Sequence, residues 1–204
     1  ALKISPKNPL LQAALGNVLI DEEDYDKAQK VYERIVEVKP DFDIGHFNLG
    51  VINYQKRELK TAKKNYEDVL KINPDDTEAK ENLAAIHILD SDYDNAIKAY
   101  KALLEVDPQN LTATQDLAMS YALKEDYKEA IAVFRTLIDM VNVSDKLDSK
   151  TKDKNLEIIT RLIATCYEKL GDLDNARLVL QEYLKDKPNS AKIRDKLLHL
   201  GHDH

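Results

Sequence analysis

The sequence predicts an all-α fold in which helical hairpins stack in series as a solenoid. Proline recurs every 34 residues, at Pro6, Pro40, Pro74 and Pro108, and a fixed period of this length is typical of repeat architectures. Each period carries two apolar stripes at i, i+3 or i+4 and i+7, which is the spacing of an amphipathic helix. Glycine and proline are rare, at 5 and 6 residues of 204, as expected for helices joined by short turns.

The repeats follow one another along the chain, and one hairpin packs only on its neighbours. Residues 1–8 are expected to be the end of a truncated preceding repeat. Repeats 1 to 5 cover, in order, residues 9–42, 43–76, 77–110, 111–144 and 157–190. Residues 145–156 are a charged insertion without glycine, which either extends the flanking helices or forms a loop. Residues 191–204 are expected to be a capping helix, with Ser190 as its N-cap, and a tail.

Small and aromatic residues recur at fixed places in the repeats. The small residues are Ala28, Ala62, Ala96 and Ala130, and the aromatic residues four positions later are Tyr32, Tyr66, Tyr100 and Phe134. We expect the small residues where two helix axes approach closely, because a larger side chain would overpack that contact. The N-caps expected for the second helices are Asp24, Asp92, Asp126 and Asp172; aspartate favours that position.

The pattern resembles the tetratricopeptide repeat family. In repeat 2, the residues that match the family motif are Leu49, Gly50, Ala62, Tyr66 and Pro74. The first aromatic of the motif is replaced by Gln12, His46, Lys80, Thr114 and Thr160 in repeats 1 to 5. The glycine between the two helices survives only as Gly171 and is replaced elsewhere by Glu23, Arg57, Ser91 and Glu125. Each replacement costs up to ~1 kcal/mol if the backbone there is left-handed.

The resemblance implies a right-handed superhelix that serves as a non-catalytic scaffold or adaptor. Its first helices would line a concave groove that binds a peptide segment or a helix of a partner protein. The candidate groove residues are Asn17, Phe47, Asn48, Val51, Tyr54, Asn82, Ile88, Gln115, Met119 and Arg161. Asn48 and Asn82 occupy one place in consecutive repeats, where the family uses asparagine to hold a bound peptide backbone, since an amide both donates and accepts. Packing within the superhelix is the alternative role for these residues.

The net charge of the chain limits the classes of partner that it could bind. The net charge of −7 argues against nucleic acid, which requires a basic face, and fits a neutral or basic protein. The family also includes clamps for the acidic C-terminal tails of chaperones. The positions that match the clamp hold no cation, and Glu78 would repel a carboxylate, so we expect no such clamp here. Two alternatives stay open: a self-assembling homo-oligomer, or a regulatory or targeting domain of a larger protein with an upstream catalytic domain.

Catalytic and metal-binding signatures are not expected in this chain. Cys166 is the sole cysteine, lies in a predicted helix and is expected to be a buried thiol. His87 is expected on the packed side of its helix. His202 and His204 could bind a metal weakly, but a frayed tail is favoured, so no cofactor is expected. No run approaches the ~18 to 20 apolar residues of a membrane span. The cytoplasm is the favoured compartment, and a periplasmic or membrane-attached location through an upstream segment stays open.

Overall fold

The computed structural model describes residues 8–201, and the helices within that range build the predicted all-α hairpin repeats. In chain order they are α1 (Pro9–Asp21), α2 (Tyr25–Val38), α3 (Asp43–Gln55), α4 (Leu59–Ile72), α5 (Thr77–Leu89), α6 (Tyr93–Val106), α7 (Leu111–Leu123), α8 (Tyr127–Val143), α9 (Ser149–Lys169), α10 (Leu173–Asp186) and α11 (Ala191–His199). The expected truncated repeat, apart from Asn8, and both tail histidines, His202 and His204, lie outside the described residues. The predicted fold class is confirmed.

The chain divides into two compact units, which are described separately below. Unit 1 comprises Ala1–Asp90 and unit 2 comprises Ser91–His204. Unit 1 therefore contains α1 to α5, and unit 2 contains α6 to α11. Between residues 8 and 201, no helix combines the length and the apolar content needed to cross a membrane.

Side-chain caps set the starts of most helices. Asp24, Asp92 and Asp172 accept hydrogen bonds from backbone N–H groups of the first turn of α2, α6 and α10, as predicted. Asp126 precedes α8 but makes no side-chain cap bond. Its carboxylate is paired with the ammonium group of Lys124, over 2.9 Å. Asp126 therefore occupies the predicted N-cap position of α8, but its side chain does not cap the helix.

The turn between the two helices of each repeat contains one left-handed residue. The φ angles are 58° at Glu23, 62° at Arg57, 59° at Ser91, 69° at Glu125 and 75° at Gly171. In repeat 4, the next N–H, that of Asp126, donates to the carbonyl of Tyr121 over 2.9 Å and closes the end of α7. The same backbone geometry therefore recurs at the five positions whether or not glycine occupies them.

In unit 1, tyrosine rings pack against glycines of the first helices. Tyr32 and Tyr66 are almost completely buried. A Cβ atom added at Gly16 would lie 2.5 Å from the ring of Tyr32, and one added at Gly50 would lie 2.7 Å from the ring of Tyr66. The Leu-Gly step of the motif is therefore required by the close approach of α3 to the ring carried by α4.

In unit 2, the insertion lengthens α9 at its N-terminus. Residues 149–156 are helical, whereas residues 144–148 form the connection from α8, so the helical alternative holds for most of the insertion. Asp148 caps the new helix end by accepting from the N–H of Thr151 over 2.8 Å. At the other end of the unit, Ile193 and Leu200 are buried against α10. Ser190 accepts from the N–H of Ile193 and caps α11, as predicted.

Candidate functional site

The predicted groove residues all lie on first helices of the repeats, and they are divided between the two units. Those in unit 1 are Asn17, Phe47, Asn48, Val51, Tyr54, Asn82 and Ile88, and those in unit 2 are Gln115, Met119 and Arg161. The two sets are therefore considered one unit at a time.

Asn48 of α3 and Asn82 of α5 have the same side-chain geometry. In each, the side-chain nitrogen donates to the carbonyl oxygen four residues earlier, that of Ile44 or Glu78, over 2.9 Å. Both side chains are half-buried. This bond uses one of the two amide hydrogens, so each amide keeps a second N–H and its oxygen for a further contact. The helix itself thereby orients two donor–acceptor pairs one repeat apart.

Asn17 lies on exposed surface of α1, but its oxygen is already engaged. The hydroxyl of Tyr32 is hydrogen-bonded to the side-chain oxygen of Asn17 and, over 3.0 Å, to the carbonyl of Ala13. Burial raises the pKa of Tyr32 to about 12, because the charged phenolate is poorly solvated in the core. Asn17 therefore has less free hydrogen-bonding capacity than Asn48 and Asn82.

The side chains of Phe47 and Tyr54 on α3 are partly buried in the core and partly exposed to solvent. The ring of Phe47 meets that of Tyr66 edge-on, with 5.6 Å between centroids. Both Phe47 and Tyr54 pack on the buried cluster formed by α4 and α5 and remain half-buried. Val51 and Ile88 are also half-buried. These side chains thus contribute to packing within unit 1 while part of each remains exposed.

In unit 2, Gln115 lines a groove of about 280 Å³ between α7, α8 and α9. Leu137 and Val141 of α8 and Ile159 of α9 supply apolar surface in it. Met119 packs against the same buried cluster as these residues, so it is half-buried. Arg161 is exposed on α9 and does not line this groove. The structure therefore brings Gln115 into a groove with an apolar floor and leaves Arg161 outside it.

Residues that sequence reasoning did not select also line this groove. Leu147 and Asn155 come from the insertion, and Ile158 and Leu162 follow on α9. Asn155, Ile158 and Leu162 have the i, i+3, i+7 spacing of one helical face. That spacing was visible in the sequence, but it becomes informative only once the insertion is known to be helical.

The groups that could support chemistry are few in the described part of the chain. Cys166 is buried, and its burial raises the pKa of the thiol above its usual value, which lowers the thiolate fraction and hence reactivity. His87 is half-buried on α5. No cluster of three or more His, Cys, Asp or Glu residues between 8 and 201 could hold a metal ion.

Family comparisons match three stretches of the sequence. The family model described as "Cytochrome c-type biogenesis protein H TPR domain" matches residues 37–148, which is more than half of the chain. Two models described as "Tetratricopeptide repeat" match residues 11–42 and 162–190. No curated protein sequence matches the chain.

Solved structures with similar folds cover nearly the whole chain. A structure described as "YrrB: a TPR protein with an unusual peptide-binding site" is 14% identical with a TM-score of 0.73, over 96% of this chain and 92% of that one. A MamA structure is 17% identical with a TM-score of 0.75, over 90% and 94% of the two chains. MamA from Desulfovibrio magneticus RS-1 is 12% identical with a TM-score of 0.74, over 90% and 97%. At such low identities the likeness shows the fold alone.

Proposed function

This chain belongs to the tetratricopeptide repeat family, and on that premise we propose that it is a non-catalytic scaffold which binds an extended segment or a helix of another protein. The observation that carries the proposal is the shared geometry of Asn48 and Asn82. A peptide backbone presents alternating N–H and C=O groups, and each amide offers one acceptor and one remaining donor to meet them. Each such hydrogen bond contributes about 1 kcal/mol net.

The groove in unit 2 supplies a second element of the same function. Its apolar floor suits a hydrophobic side chain, and the amides of Gln115 and Asn155 supply polar contacts. Small apolar depressions with a few polar groups are the usual form of a peptide side-chain pocket. We assign it to a single apolar side chain of the partner, because about 280 Å³ is close to the lower end of the size range of ligand pockets.

The partner is expected to be neutral or basic. The chain carries a net charge of −7, and opposite charge speeds encounter and suppresses wrong partners. The family also implies that the binding residues lie on the first helices. The variants below test this location independently of the charge of the partner.

The test is a double variant, Asn48→Ala with Asn82→Ala. The immobilised chain is exposed to an extract of its native cells, and captured proteins are crosslinked and mapped by mass spectrometry. We expect crosslinks to α3 and α5 and a marked loss of captured partner by the double variant. The matched control is Asn65→Ala with Gln181→Ala, which removes two amides from the second helices α4 and α10. Equal capture by both variants and the wild type would reject the proposal.

A second candidate is self-association through α1. Leu11, Leu15 and Val18 lie on one stripe and are 46%, 38% and 51% exposed. At the repeat position of Leu15, Leu49 and Leu117 are only 6% and 5% exposed, and Leu83 is half-buried. An apolar helix face of this kind favours association. Light scattering over a concentration series tests it: a dimer that Leu15→Gln with Val18→Gln converts to a monomer supports it, and a wild-type monomer at high concentration rejects it.

A further inference from the structure

We propose that unit 2 contains a second protein-binding site, a cleft between α8, α9 and α10 that accepts a short basic segment with a large hydrophobic side chain. The cleft has a volume of about 650 Å³, which is within the range of ligand-binding pockets. It exists because residues 149–156 of the insertion extend α9 beyond the body of its repeat and along the C-terminal end of α10. The site borders the groove at Gln115, with which it shares Leu147, and it goes beyond the function proposed above.

The floor of the cleft contains a hydroxyl group that makes no hydrogen bond with the described residues. Thr160 lines the cleft and is only 4% exposed as a residue. Its hydroxyl makes no hydrogen bond within the described part of the chain, and its oxygen is not fully shielded from the cleft. Around it the floor is apolar, formed by side chains that include Ile138, Leu156 and Val179. A hydroxyl group that is accessible at the bottom of an apolar cleft suits a ligand that brings both an apolar group and a polar backbone atom.

Repeat 4 shows how the same place is closed when no cleft is present. There, Thr114 occupies the position of Thr160 and is 3% exposed. Its hydroxyl donates to the carbonyl of Asn110 over 2.8 Å and lies 3.6 Å from the sulfur of Met140. The position of Met140 in repeat 4 is held in repeat 5 by Asp186, which lines the cleft. The replacement of a long apolar side chain by an exposed carboxylate therefore leaves the space above Thr160 open.

The side chains that line the cleft carry three negative and two positive charges. Asp153 and Lys187 neutralise each other over 2.8 Å, and Lys152 keeps its charge while it donates to the carbonyl of Asn142 over 2.9 Å. Glu182 and Asp186 are exposed, lie one turn apart on α10 and have no ion-pair partner among residues 8–201. Lys150 and Lys154 line an adjoining hollow, which Asp186 also lines, but they do not line this cleft.

Two like charges one turn apart repel each other slightly, and a cation bound between them relieves that repulsion. A lysine or arginine of the ligand would pair with Glu182 and Asp186, while its hydrophobic neighbour fills the space that Met140 occupies in repeat 4. The geometry therefore selects basic over acidic segments and hydrophobic over polar ones.

Methyl NMR on the full chain tests this selection with three synthetic peptides. The probes are acetyl-Lys-Leu-Phe-Arg-amide, acetyl-Glu-Leu-Phe-Glu-amide and acetyl-Lys-Ser-Ser-Arg-amide. We expect saturable shifts at the methyl groups of Ile138, Leu156 and Val179 with the first peptide only. Saturation by the acidic peptide, equal shifts with all three, or no saturable shift up to the solubility limit would overturn the proposal.

Two variants test how the acidic charges and the open space above Thr160 contribute to peptide binding. Glu182→Gln with Asp186→Asn should weaken binding about five- to tenfold, as expected for two exposed ion pairs. Asp186→Met rebuilds the threonine–methionine pair of repeat 4 and should abolish binding. The control, Glu129→Gln with Asp139→Asn, removes the same charge from exposed positions of α8 outside the cleft. Binding that is unchanged in Asp186→Met, with the fold verified by the NMR spectrum, would also overturn the proposal.

Discussion

The ammonium group of Lys124 lies 3.0 Å from the carboxylate of Asp94, which belongs to the preceding repeat. It also lies 2.9 Å from Asp126. Lys56 makes the equivalent pair with Asp26 over 2.9 Å in unit 1, two repeat lengths earlier in the sequence. An ion pair thus links the C-terminal end of α7 to the start of α6 in unit 2, and the C-terminal end of α3 to the start of α2 in unit 1.

Replacing Lys124 with Gln and Asp94 with Asn should reveal a coupling between the two side chains. Both carboxylates raise the pKa of Lys124 above its usual value, Asp126 first and Asp94 next, which indicates a favourable interaction with the charged form. In a double-mutant cycle followed by urea unfolding, the double variant should lose less stability than the sum of the single variants. The coupling should shrink in 1 M NaCl because the pair is solvent-accessible. Additive effects at low salt would contradict an energetic link.

Glu125→Gly should stabilise the chain by about 0.5 to 1 kcal/mol, because glycine adopts a positive φ without steric cost. Glu125 has φ 69° and an exposed side chain. Glu125→Ala is the control: it removes the same carboxylate but keeps a Cβ atom, so it should bring no such gain. The reverse change, Gly171→Ala, should destabilise, although a Cβ atom there has nothing within 4 Å. Thermal unfolding of the three variants measures these effects.

The sequence predicted the repeats and their turns because both depend on local residue patterns, and these patterns recur at a fixed spacing. The left-handed backbone at Glu125 follows from its alignment with Gly171. The absence of a side-chain cap bond at Asp126 could not be predicted, because the sequence does not show that its carboxylate is oriented towards Lys124. For the site, periodicity identified the helix face that carries Phe47, but only the packing shows how much of that ring is taken up by Tyr66. The roles of the groove residues remain predictions.

Asn53→Leu should increase stability by about 1 to 3 kcal/mol, the cost attributed to a buried polar group without a partner. Asn53 lies on α3, is 2% exposed, and its side-chain oxygen has no hydrogen bond within the described residues. Asn53→Asp is the contrasting variant and should destabilise strongly, since it buries a charge at the same place. Chemical denaturation compares the three proteins, and a loss of stability in Asn53→Leu would show that the amide is satisfied in solution.

Gly50→Ala should cost about 1 to 3 kcal/mol, the usual penalty for overpacking a core. The added Cβ atom would lie 2.7 Å from the ring of Tyr66, which is 1% exposed and has little room to move. The control is Ala85→Gly, a half-buried position on a first helix where the Cβ atom is removed instead. It should cost only the ~1 kcal/mol of helix propensity. A neutral effect of Gly50→Ala would mean that α3 can shift away from the ring.

Tyr32→Phe should reverse its effect on stability between neutral and alkaline pH. At pH 7 the variant loses the hydrogen bonds to Ala13 and Asn17 and should be less stable by about 1 kcal/mol. The pKa of Tyr32 is raised to about 12 by burial, whereas in the unfolded chain it is about 10. The folded state therefore holds this proton more tightly, so its contribution is complete below pH 10 and is lost as the pH rises towards 12.

Two pKa units correspond to about 2 to 3 kcal/mol, which exceeds the hydrogen-bond contribution at neutral pH. Wild type and variant should therefore be equally stable near pH 11, and the variant should be the more stable above it. Urea unfolding at intervals from pH 7 to 12 measures the crossing. Tyr66 is unchanged in both proteins, so the alkaline loss from its own raised pKa cancels in the comparison. Stability curves that stay parallel across this range would show that Tyr32 ionises as readily in the folded chain as in the unfolded one.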